Sequence, residues 1–123
     1  MLTLDRPPFL TDLLSIEQIE SVVHRFYDKV YADPLLSPLF EGVARARQEQ
    51  RLAGFVRMTR GRRNVFDADF LKTAHARLPI TTALLVRRAQ LLADSITESG
   101  HGEEVVACWK RYDAIWWRDV MGR

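Results

Sequence analysis

The chain contains one cysteine, Cys108, among 123 residues. No internal disulfide is available, so the fold cannot depend on an oxidising compartment. Cys108 falls in a helical pattern beside Val105, Val106 and Trp109, which reads as a buried, inert thiol rather than a nucleophile. No stretch approaches the roughly 18 apolar residues of a membrane-spanning helix. The N-terminus lacks the basic-then-apolar layout of a secretory signal. A cytoplasmic protein with no membrane partner is expected. Charge of one sign is scarce too. Eighteen basic side chains against sixteen acidic ones leave a formal +2, too little to call for nucleic acid or an anionic surface.

The chemical signatures of common enzymes are also missing. There is no phosphate loop, no paired-glycine dinucleotide turn, no zinc-protease or paired-cysteine motif, and no serine in a nucleophile elbow. His24, His75 and His101 are too scattered for a zinc site and lack cysteine neighbours. Carboxylates are plentiful but sit on helix faces that read as solvated, which argues against paired acid–base work. No segment alternates with the period of a strand, and there is neither a solenoid repeat nor a low-complexity tract.

What is present is helical periodicity. With 47% hydrophobic and 28% charged residues, the composition is that of one soluble globular domain. Residues 1–14, with Pro7 and Pro8, read as an N-terminal extension tacked down by Phe9, Leu13 and Leu14; residues 15–123 read as the domain. Ser15 followed by Gln18 is a helix-start signature. Ile16, Ile19, Val23, Phe26 and Val30 then form one inward stripe, ended by Asp33–Pro34. Residues 34–40 read as a short helical turn, with Pro38 and Gly42 turning the chain. A second helix is expected over 43–59, with Leu52, Phe55, Val56 and Thr59 inward and Arg45, Arg47, Arg51 and Arg57 elsewhere. After a loop at 61–64 comes a short helix capped by Asp67. Thr81 or Thr82 caps the next helix, with Leu85, Ala89, Leu92 and Ile96 on one side. Ser99–Gly100–His101–Gly102 ends it. The last helix starts near Glu103, where acidic residues suit its dipole, and turns Val105, Trp109, Tyr112, Trp116 and Val120 inward. The expectation is an all-α protein with three long helices, several short ones and an aromatic core.

The short helix carries the residue of most chemical interest. Phe70, Leu71, Ala74 and Leu78 give it an apolar face, with His75 at the edge. Such a histidine is either a hydrogen-bonded core residue or a ligand. Phe26 and Tyr27, Phe40, Gln48 and Leu52 lie on other elements. A histidine across an apolar cavity from a phenol and an amide would suit a flat, iron-centred cofactor. The bland alternative makes Phe26 and Tyr27 ordinary core aromatics and Gln48 a solvated side chain.

The text Arg25–Phe26–Tyr27–Asp28–Lys29–Val30, Ala32–Asp33–Pro34–Leu35–Leu36–Ser37–Pro38–Leu39–Phe40, Gln50–Arg51–Leu52–Ala53–Gly54–Phe55 and His75–Ala76–Arg77–Leu78–Pro79–Ile80–Thr81 resembles the truncated haemoglobins. These are short globins with a two-over-two helical sandwich, and the likeness is nearest to their third subgroup. The resemblance covers residues 16–120. It implies a haem b protein with His75 as the iron ligand. Phe26 and Tyr27 would lie on the distal side with Gln48 as the gate residue. Phe40, Leu52, Phe55, Leu71 and Leu78 would line the porphyrin. Arg47, Arg51, Arg62 or Arg63 would pair with the haem propionates, or else form a solvated face. Where the subgroup carries a tryptophan on the helix after the histidine, this chain has Arg88. A buried unpaired guanidinium would cost several kcal/mol. Arg88 is therefore expected to reach solvent, a carboxylate or a propionate, and it is a candidate distal residue.

The implied function is binding of a small diatomic ligand, oxygen or nitric oxide, for transport, sensing or nitric oxide detoxification. Dioxygenase-like turnover would need a redox partner protein, because no reductase domain is present in the chain. A reading from another class is a globin-like helical interaction module with lost or altered haem binding. Arg88 and the adjacent Trp116 and Trp117, one of which must face outward, motivate it. A peroxidase-like role is the weakest, since Gln48 cannot serve as acid or base.

Overall fold

The computed structural model describes the backbone of residues 9–58 and 80–120 and the side chains of residues 9–54 and 80–114. Within these, α1 spans Leu10–Leu13, α2 Ile16–Ala32, a 3-10 turn Ser37–Phe40, α3 Arg45–Met58, α4 Thr82–Glu98 and α5 Glu103–Val120. No strand occurs among the described residues. Four of the described helices are long, of 14 to 18 residues, where three were expected. The fourth arises because both helices after residue 80 are full-length. The expected helix carrying His75 and its Asp67 cap lie outside the described residues.

Local chemistry sets the helix ends. The Ser15 hydroxyl accepts the Gln18 N–H at 3.1 Å, and the Gln18 side-chain oxygen accepts the Ser15 N–H at 2.8 Å, so two orphan donors are satisfied reciprocally. Asp33 ends α2 in an extended conformation, which the following proline favours. Thr81 caps α4 through its hydroxyl, which accepts the Leu84 N–H at 3.2 Å. The chain leaves α4 at Gly100 with φ +93°, and the His101 N–H returns to the Ile96 carbonyl at 3.2 Å, the glycine-dependent way of closing a last turn.

The long helices pack as two pairs, α2 with α3 and α4 with α5, and α2 joins them by also packing on α4. Both contacts of α2 are antiparallel. Asp28 meets Arg45 and Tyr31 meets the Val43 carbonyl on the α3 side. On the α4 side, Lys29 meets Glu98 and Asp33 meets Arg87. A helix covered on two sides buries more than one stripe. Val22 and Tyr27 are accordingly buried together with Ile19, Val23, Phe26 and Val30. Ile16 departs from expectation: it opens α2 and stays 49% exposed. On α4, Leu92 and Ile96 are buried as expected, joined by Leu91 and Ser95. Leu85 and Ala89 are only half-buried. The Ser95 hydroxyl donates to the Leu91 carbonyl at 2.8 Å, which makes its burial tolerable.

Trp109 is the largest fully buried side chain, and Cys108 beside it is buried as expected. Burial pushes its thiol pKa up, which leaves it protonated and unreactive. α1 lies against α3 and α5. Leu10 and Leu14 enter the core, with Leu13 packed against it; Leu10 was not among the expected anchors. Among the described residues no helix is long and apolar enough to cross a membrane.

Candidate functional site

The site begins with two consecutive aromatics on α2. Phe26 and Tyr27 would point to different sides of an ordinary surface helix, but α3 and α4 cover both sides here. Their ring centroids lie 5.0 Å apart, edge to face. Tyr27 also meets Tyr31 and Phe40, each at 6.1 Å, and Tyr31 tilts against Phe40 at 5.4 Å. Such edge-to-face contacts add about 0.5–1.5 kcal/mol each to the apolar burial. The Tyr31 hydroxyl donates to the Val43 carbonyl at 3.1 Å, which ties the corner after the 3-10 turn to α2. Leu52, buried on α3, belongs to the same core cluster, and Phe40 packs against it from a half-buried position.

Tyr27 is only 5% exposed. Burial pushes its phenol up to about 12, against a weaker opposing pull from Arg88. The hydroxyl thus holds its proton at any physiological pH. It has no hydrogen-bond partner among the described residues. A neutral donor inside an aromatic wall is what the site offers a small acceptor molecule.

Arg88 reaches a carboxylate, one of the three destinations expected for it. Its Nη1 donates to Oδ2 of Asp113 on α5 at 2.5 Å, and its guanidinium carbon stands 5.1 Å from the Phe26 ring centroid. Oδ1 of Asp113 and Nε1 of Trp109, buried one helical turn apart on α5, have no partner among the described residues. Asp113 was absent from the sequence reading. The signal for it was available, since Asp113 falls four residues after Trp109 on the inner face of α5, where a carboxylate needs a cation.

The remaining candidates are placed as follows. Gln48 is half-buried on α3, and Arg51 on the same helix is exposed, as is Arg47. Arg45, read from sequence as part of a solvated row, is instead a clamp. It reaches Asp28 at 2.6 Å, Glu49 at 2.7 Å and the His24 carbonyl at 2.8 Å. His75, Leu71, Leu78, Arg62, Arg63 and the side chains of Phe55, Val56 and Trp116 lie outside the described residues.

Comparison with protein families matches the bacterial-like globin family over residues 12–114. The chain belongs to that family. Comparison with curated proteins gives no significant match. The all-α architecture of this globin, with two helix pairs joined through α2, is the fold its membership entails. The described part of the site fits a flat, iron-centred group. It has apolar and aromatic side chains from α2, α3 and the 3-10 turn, a protonated phenol with no partner among the described residues, and the Arg88 guanidinium paired with Asp113.

Proposed function

We propose that this globin binds haem b and, through it, a small diatomic ligand, oxygen or nitric oxide. In this reading His75 ligates the iron. Phe40, Leu52, Phe55, Leu71 and Leu78 enclose the macrocycle, and Arg51, exposed on α3, pairs with a propionate. Bound haem supplies an iron with an open coordination position. Tyr27 holds a proton at its phenol oxygen for the ligand, Phe26 keeps that phenol dry, and Gln48 stands at the entrance. The observation that carries the reading is the buried, protonated Tyr27 phenol with no partner among the described residues, in a chain of the globin family. The likeness to the third subgroup of truncated haemoglobins supports the same assignment.

The proposal extends to transport, sensing or detoxification in the cytoplasm, with a redox partner protein where turnover is required. It takes residues 15–123 as the ligand-binding domain and residues 1–14 as an N-terminal extension, of which Leu10 and Leu14 enter the core. Absorption spectra of haemin-loaded protein, oxidised, reduced and under carbon monoxide, test it. A Soret band that shifts with reduction and again with carbon monoxide is expected. A folded, colourless protein indifferent to haemin would contradict it and favour the second reading, a helical interaction module. That alternative draws on one observation: the Arg88–Asp113 pair occupies the interior beside Phe26, where the subgroup has a tryptophan.

A further inference from the structure

We infer that the interior face made by Phe26, Tyr27 and Arg88 favours small anionic ligands, of the class of azide, nitrite or fluoride, at the ferric form, beside the diatomic ligand of the ferrous form. Arg88 is the fixed cation and Asp113 its positioning residue; the inference rests on the haem-binding reading above.

Three features lead to it. The first is the presence of a charge at all. The Arg88 and Asp113 side chains are only 13% and 9% exposed. A buried ion pair is a weak stabilising device, and an apolar residue of similar volume would fill the space at lower desolvation cost. The second is the direction of the pair. Arg88 extends from α4 to both neighbours, stacking on Phe26 of α2 and binding Asp113 of α5. At the Tyr27 phenol the pull of Arg88 outweighs the opposing push of Asp113. The pair thus presents its positive end toward the α2 aromatics and holds its negative end back on α5. The third is the companion donor. Tyr27 stays neutral and donates, so an acceptor-rich anion gains a hydrogen bond and a favourable field together. Carbon monoxide, uncharged and a poor acceptor, gains little from either.

The test uses full-length haemin-loaded protein and reads equilibrium dissociation constants from the Soret shift, near neutral pH. Sodium azide is titrated against the ferric form and carbon monoxide against the ferrous form. Circular dichroism reports folding. Arg88→Leu is expected to weaken azide binding about tenfold or more, because it removes a cationic field that water screens little at a buried position, and to leave carbon monoxide within about threefold. The double variant Arg88→Leu with Asp113→Leu leaves no lone buried charge and should show the same split if Arg88→Leu alone fails to fold. Asp113→Asn keeps the cation and should hold or raise azide affinity, and Arg88→Lys should retain part of it. Equal losses for azide and carbon monoxide, unchanged azide affinity in the double variant, or a tenfold loss in Asp113→Asn would each overturn the inference while leaving haem binding intact. Wild-type protein that takes up no haemin would overturn both.

Discussion

Asp33 and Arg87 meet across 54 residues of chain, with the guanidinium Nη2 2.7 Å from Oδ1 of the carboxylate. Oδ2 of Asp33 accepts the backbone N–H groups of Leu35 and Leu36, both at 3.1 Å. One side chain therefore ends α2, shapes the corner leading to Phe40, and fastens that corner to α4. Truncation to Ala would orphan two amides and free the arginine. Asp33→Ala is expected to cost about 2–3 kcal/mol, measured by urea unfolding.

The same carboxylate gives the protein an acid limb. Burial would raise its pKa, but the hydrogen bonds from Arg87, Leu36 and Leu35 prevail and hold it below the ordinary 3.8. Because the folded-state value is depressed, the stabilisation is complete above about pH 4 and is lost as the pH falls through the lowered value. Unfolding free energy against pH should flatten on the acid side in Asp33→Asn. An unchanged acid limb would show that other carboxylates dominate it.

Arg45, half-buried, is expected to matter more for holding α3 on α2 than the exposed charges of its helix. Its partners are Asp28, Glu49 and the His24 carbonyl. Solvent screens these contacts, so Arg45→Ala should cost about 1 kcal/mol, or about 4 °C in melting temperature. The difference should shrink in high salt. Thermal melts at two ionic strengths check both points.

Tyr27 should ionise well above an ordinary tyrosine. Its folded-state value is raised from 10.0 to about 12, so its stabilisation is complete below pH 10 and lost as the pH climbs toward 12. In an ultraviolet phenolate titration, Tyr27→Phe should remove a step near pH 12. Its cost in stability should stay under about 1 kcal/mol, since the hydroxyl has no partner among the described residues.

Gly100→Ala isolates backbone strain. An added Cβ would meet nothing within 4 Å, yet φ is +93°. A loss of about 1 kcal/mol in urea unfolding is expected from the left-handed conformation alone.

Much of the fold was legible because helix ends are written locally. The Ser15–Gln18 pair, Asp33 before Pro34, Thr81 and Gly100 each act within four residues. Burial was less so. A single stripe on α2 misplaced Ile16 and missed Val22, because the number of neighbours around a helix is a tertiary fact. The aromatic contacts of Phe26, Tyr27 and Phe40 follow from residues already singled out. The binding of Arg88 by Asp113 joins two helices across a turn, and sequence reasoning foresaw only that some carboxylate was a candidate. Arg45 was read as solvated because its helix is arginine-rich, whereas its partners lie on α2.

The central claim is that one imidazole, that of His75, holds haem iron opposite the Tyr27 phenol. Replacing His75 by Gly and titrating free imidazole into the haemin-loaded variant tests it most directly. A Soret band present in wild type, altered or lost in His75→Gly and restored by imidazole is the predicted result. A variant spectrum identical to wild type, with no response to imidazole, would contradict the account.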